Sequence, residues 1–169
     1  MNTDNKVVNE ISQINLTGNI IPNTWYSHIK KETAKGNFKT DLLAINILAE
    51  IIYWYRAVEE RDESTGKTKS FRKKFNHDKY QKWYDAWAEM FGVSKKQIKD
   101  SINTLIKLNL INREIRIIRT KQGGILTGVT FFEPIPKTIK YVNKMTSNNH
   151  HSLCKISKTP PTKKEGGWG

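Results

Sequence analysis

Residues 91–110, FGVSKKQIKDSINTLIKLNL, constrain the fold more than any other stretch. Gly92 suits the left-handed position that closes a helix, because a residue without Cβ meets no clash there. Ser94 follows as an N-cap, and Gln97 stands three residues on. That is the capping-box spacing, in which hydroxyl and amide each satisfy a free backbone N–H. Ile98, Ile102 and Leu105 then fall at i, i+4 and i+7, one apolar stripe on a helix whose other face carries Lys95, Lys96, Lys99 and Asn103. The spacing predicts the turn and second helix of a helix-turn-helix, with residues 94–108 as a capped, one-sided, basic helix. Such a helix fits a DNA major groove. Taken alone, it also describes an ordinary surface helix with solvated lysines. The flanking sequence favours DNA.

Upstream, residues 1–20 are polar without a sustained period and read as a flexible segment. Thr24 is placed to cap a short helix through Trp25, Ile29 and Ala34, ended by Gly36. Asp41 caps a stronger one, DLLAINILAEIIYWYR, whose apolar face of Leu42, Ile45, Leu48, Ile51, Ile52 and Tyr55 is broad enough for the most buried helix of the domain. Trp54 and Tyr55 continue that core stripe. Ser64-Thr65-Gly66 is a turn signal between an acidic arm (Glu59, Glu60, Asp62, Glu63) and a basic arm (Lys67, Lys69, Arg72, Lys73, Lys74), which predicts a charged hairpin or long loop. Arg72, Lys73 and Lys74 have two readings, a solvated charge run or contacts to DNA phosphates outside the groove; the local charge excess leans to the second. Residues 82–91, KWYDAWAEMF, supply the first helix of the motif, with Trp87, Ala88 and Phe91 inward.

Downstream, residues 113–118 are rich in β-branched side chains, Lys121-Gln122-Gly123-Gly124 is a tight turn, and residues 125–132 return. This hairpin, residues 111–132, is the expected wing, with Arg116, Arg119 and Lys121 reaching DNA backbone or minor groove. The alternative is a hairpin whose charges only keep it soluble. Glu133-Pro134-Ile135-Pro136 stops the sheet, residues 137–145 suit a short helix, and a basic tail of Ser, Asn, Pro, Gly and Lys follows, read as disordered. The expected fold class is mainly α with a small β-wing: a winged helix-turn-helix over 21–136, a charged hairpin within it, and disordered termini at 1–20 and in the tail of 137–169.

The net charge of +13 points to a polyanionic partner. Residues 1–39 carry net +2, residues 40–136 net +5 and residues 137–169 net +6, so the excess sits in the motif region and the tail. One cysteine, Cys154, rules out an intramolecular disulfide. No charged-then-apolar leader opens the sequence, and residues 42–55 are too short for a membrane span, so a soluble protein of the bacterial cytoplasm is expected. Nothing points to an enzyme or a cofactor. No P-loop pattern occurs, and Gly123-Gly124 is a turn. His150, His151 and Cys154 have ligand chemistry but lack a matching second half, and no metal is expected.

The runs TDLLAINILAEIIYWYR, RDESTGKTKSFRKKF and QKWYDAWAEMFGVSKKQIKDSINTLIKLNLINREIR, within residues 22–136, resemble the N-terminal winged-helix region of replication proteins of bacteriophages and integrative elements, the replisome organisers or DnaD-like initiators. The resemblance implies origin binding and recruitment of a helicase loader or helicase. It carries DNA contact to Lys95, Lys96, Gln97, Lys99 and Asn103, with Arg116, Arg119 and Lys121 on the wing. Two departures stand out. Trp83 occupies the helix start where many winged helices have Ser or Thr, and the chain after Pro136 is too short and polar for a helicase-interaction domain. The expected function is sequence-specific binding of double-stranded DNA in replication initiation of a phage or mobile element. Gln97 or Asn103 would read adenine and Lys96 or Lys99 guanine, Lys95 and the wing basics would fix the phosphates, and Ser94 at the helix start is a further expected DNA-binding residue. A transcriptional regulator of the same element, or a protein-interaction adaptor using Trp83, Trp87 or the wing, are the alternatives. A homodimer contact would fall on the 42–55 helix or the N-terminal segment, and no membrane partner is expected.

Overall fold

The structure, a computed structural model, describes residues 3–144. The chain opens with helix α1 (Lys6–Ser12), which buries no residue, and a single turn α2 (Trp25–His28). Strands β1 (Lys30–Glu32) and β2 (Phe38–Thr40) form a hairpin that leads into α3 (Leu42–Tyr55). A second hairpin, β3 (Val58–Arg61) with β4 (Thr68–Arg72), precedes a short strand β5 (Tyr80–Gln81). Helices α4 (Tyr84–Phe91) and α5 (Lys95–Lys107) follow, then β6 (Ile111–Arg119), β7 (Ile125–Pro134) and α6 (Pro136–Lys144).

These elements correct the expectation of a mainly α chain. The described residues are 39% helix and 25% strand, in six helices and three small antiparallel sheets, so the architecture is mixed α/β. The helix expected from Thr24 to Ala34 lasts one turn. Ile29 is already extended (φ −92°, ψ 90°), and Gly36, at φ +78°, turns a hairpin instead of ending a helix. Trp25 and Ile29 satisfy an i, i+4 spacing, but no apolar residue follows at the next helical positions, so one turn is all the core requires. Residues 80–81 belong to a sheet: β5 pairs with β7, and just beyond it the Lys82 N–H donates to the Thr130 carbonyl (3.3 Å). α4 therefore begins at Tyr84, and Trp83 sits at its N-cap without a side-chain cap bond.

The core gathers around α3, where Ala44, Ile45, Ile47, Leu48, Ala49 and Ile51 are buried. Trp25, Trp87, Ile98, Ile102, Leu105, Phe132 and Val142 pack into the same cluster. Each such side chain, fully removed from water, contributes roughly 1.5–3 kcal/mol. Val142 lies beyond Pro136, and the Trp25 indole N–H donates to Asn143 Oδ1 (2.8 Å), so α6 closes onto the start of the domain. The three-stranded sheet has the order β5-β7-β6. Phe132, on its central strand, faces Trp87 with ring centroids 5.0 Å apart. This packing fixes the hairpin β6–β7 beside the α4–α5 pair. The β3–β4 hairpin forms where the opposed charges predict it: Ser70 Oγ and Arg72 Nε donate to Glu60 (2.8 and 3.2 Å), and Thr68 donates to Glu59.

Candidate nucleic-acid interface

Two terminal motifs set the geometry of α4 and α5. Gly92, left-handed at φ +66°, lets Val93 N–H reach the Ala88 carbonyl (3.0 Å) and Gly92 N–H the Glu89 carbonyl (3.3 Å). Ser94 Oγ then accepts from Gln97 N–H (3.2 Å), and Gln97 Oε1 accepts from Ser94 N–H (2.9 Å), completing the capping box. At the far end Asn109 is left-handed at φ +57°, and Leu110 N–H returns to the Leu105 carbonyl (3.0 Å), a Schellman closure carried by Asn. Laterally, Ser101 Oγ donates to Asp41 Oδ1 (3.0 Å), the same carboxylate oxygen that caps α3 through Ala44 N–H (2.9 Å). One buried carboxylate thus sets the start of α3 and locks α5 against it.

Ile98, Ser101, Ile102 and Leu105 face the core, which turns Lys96, Lys99, Asn103 and Lys107 outward on one ridge. Lys99 is exposed and has no ion pair or hydrogen bond among the described residues. Lys96 pairs with Asp100 (2.9 Å) and Lys95 with Asp85 (3.1 Å), both in open solvent. Exposed pairs of this kind contribute about 0–1 kcal/mol and exchange readily for a phosphate. Asp100 pushes the Lys96 ammonium above its ordinary pKa, so it stays charged at neutral pH. Asn103 Oδ1 accepts a long bond from Arg113 Nη1 (3.5 Å), whose better partner is the Tyr84 hydroxyl (2.9 Å).

The remaining expected contacts divide by how fully their donors are used. Gln97 spends its carbonyl oxygen on the capping box, and its side chain is otherwise exposed. Arg116 is held by three partners. It makes a bidentate pair with Asp78 (2.6 and 2.8 Å), bonds to both Glu114 oxygens (2.7 and 3.0 Å), and stacks over Phe131 at 4.3 Å. With its side chain 25% exposed, it fastens the segment before β5 to the sheet and is not available to a ligand. Arg116 holds Asp78 far below the usual carboxylate range and, with Lys79, brings Glu114 down to about 2. Lys73 donates to the His77 carbonyl and lies over Phe75, while Lys74 donates to the Tyr53 carbonyl (2.8 Å) over the Tyr53 ring. Burial, with Arg56 nearby, lowers the Lys74 pKa. Arg72 is tied to Glu60. Lys73 and Lys74 thereby lie on rings and carbonyls, while Arg72 stays exposed in its pair with Glu60. Arg119 and Lys121, at the tip of β6–β7, are exposed without a partner among the described residues.

Lys107 is not among the contacts expected from the sequence, although its position four residues after Asn103 places it on the same ridge. Among the described residues no group of three or more His, Cys, Asp or Glu could hold a metal ion, and no helix is long and apolar enough to cross a membrane. His150, His151, Cys154 and the basic tail lie outside the described residues.

Comparison of the chain with protein-family models, curated proteins and solved structures finds no match. The likeness to phage replication proteins accordingly rests on the residue pattern alone.

Proposed function

We propose that this protein binds double-stranded DNA as a winged helix, with α5 in the major groove and the tip of β6–β7 on the neighbouring backbone. The observation that carries this reading is the outer ridge of α5. A helix capped at both ends presents Lys96, Lys99, Asn103 and Lys107 to solvent, beside a hairpin whose tip holds the free Arg119 and Lys121. Lysines and amides reach base edges and phosphates, and a rigid capped helix limits the ordering cost of docking. The residue pattern supports a role in replication initiation of a phage or mobile element, with a helicase loader or another replisome protein as second partner.

The test is fluorescence anisotropy with duplex fragments from the gene's own neighbourhood, titrated over salt. The reading expects a steep fall of affinity with salt and a preference for one fragment. A preferred fragment with iterated sites beside the replication genes supports the initiator, and one at a promoter supports a transcriptional regulator. Absence of binding at moderate salt overturns the DNA reading. It would favour an adaptor, for which the wing offers Ile115, Ile117, Ile125 and Leu126, all exposed.

A further inference from the structure

We infer that the β1–β2 hairpin is a second backbone clamp, contacting DNA phosphates on the side of α5 opposite the β6–β7 hairpin. The inference rests on the DNA-binding reading and extends its footprint to residues outside the helix-turn-helix. Residues 30–40, KKETAKGNFKT, hold four lysines and one acid. That acid, Glu32, pairs with Lys107 of α5 (3.8 Å). Lys30, Lys31, Lys35 and Lys39 have no ion pair among the described residues.

Register makes this arrangement costly for the free protein. Lys31 lies directly opposite Lys39 in the antiparallel ladder. Like charges at facing positions repel and destabilise a strand pair. Lys31 and Lys39 both line a cleft of about 270 Å³ against α5, which Gln97 and Asp100 line from the helix side. Of the two acids in the lining, Asp100 pairs with Lys96 (2.9 Å) and Asp41 accepts from Ala44 N–H and the Ser101 hydroxyl. A strand pair with two facing ammonium groups, neither of them in an ion pair among the described residues, gains from an external polyanion.

The hairpin is also held in place. Asp41 N–H donates to the Ile29 carbonyl (3.0 Å), and Thr40 Oγ1 donates to the Tyr26 carbonyl (2.9 Å). Its position follows from α5 itself. Arg113 of β6 reaches Asn103 of the ridge from the wing side (3.5 Å). Gln97 and Asp100, lining the cleft, mark the edge toward β1–β2. The two basic hairpins flank the ridge of Lys96, Lys99 and Lys107. A helix seated in a groove has a phosphate strand along each side, and each flanking hairpin faces one.

The experiment compares three variants of the full chain on one duplex of about three helical turns (about 30 base pairs), titrated over salt. The first carries Lys31→Gln, Lys35→Gln and Lys39→Gln. The second carries Lys96→Gln and Lys99→Gln. The third, a control for net charge, carries Lys67→Gln and Lys69→Gln on or beside β4, which follows the far end of α3, about 21 Å from its start. The inference expects the first variant to lower the logarithmic salt slope by about 1 per lost contact, two to three in all, across sequences alike. Its melting temperature should hold or rise, because the Lys31–Lys39 repulsion is relieved; loss of a merely structural residue would lower it. If the helix variant weakens binding and the hairpin variant behaves like the control, the clamp is overturned and the DNA reading stands. If neither weakens binding, the DNA reading falls and the clamp with it.

Discussion

At the scale of single residues, two carboxylates do unlike work. Asp41 is 2% exposed and satisfies both Ala44 N–H and the Ser101 hydroxyl. Asp41→Ala removes a cap and leaves a buried hydroxyl unpaired, so it should cost about 2–4 kcal/mol in denaturant unfolding. Ser101→Ala, which removes only the cross-helix bond, should cost about 1 kcal/mol. Equal costs would show that the carboxylate acts through the cross-helix bond alone and that the cap adds nothing. Glu114 belongs to the Arg116 cluster and is held down to about 2, first by its bond to Arg116 and then by Lys79. A carboxylate whose folded pKa lies below its unfolded value of roughly 4.3 contributes stability above that value and loses it as the pH falls through the folded one. Asp78 is lowered in the same direction by the same guanidinium. Arg116→Met should therefore melt below the wild type at neutral pH, and the gap should close between about pH 4.5 and pH 2. Parallel melting curves over that range would show that the cluster does not carry the acid sensitivity.

At the scale of elements, legibility followed the source of each signal. α3 and α5 announce themselves by caps and apolar stripes, and Asp41, Ser94, Gln97 and Gly92 occupy the predicted positions. β1–β2 and β5 have no such stripe. They form because backbone groups find partners in the assembled fold, such as Lys82 N–H with the Thr130 carbonyl, and propensity does not report that. Among the site residues, a charge in sequence says nothing about whether its donors are free. Arg116 and Arg119 look alike in INREIRIIR, yet one is locked by Asp78 and Glu114 and the other is open. Prediction follows from that difference. Arg119→Ala with Lys121→Ala should lower the logarithmic salt slope of duplex binding by about 2, without altering preference among fragments. A changed preference with an unchanged slope would place the tip on base edges instead.

At the scale of the molecule, the domain runs past the helix-turn-helix to its last described helix. Val142 is fully buried, and Asn143 accepts from the Trp25 indole, so α6 holds the two ends of the domain together. A chain ending after Pro136 should lose about 2 kcal/mol or more of stability from Val142 and the Trp25 bond. A chain ending after Lys144 is the reference for that loss. If both truncations melt alike, α6 is dispensable. This organisation leaves the ridge of α5 as the rigid, capped and basic surface from which the rest of the interface is measured. Amide chemical shifts recorded during titration with duplex DNA test that claim most directly. The account predicts changes grouped at Lys96, Lys99, Asn103 and Lys107 and at the 119–124 turn, with little change in the 72–74 run. Changes confined to α6 and the residues after it, with α5 silent, would contradict it.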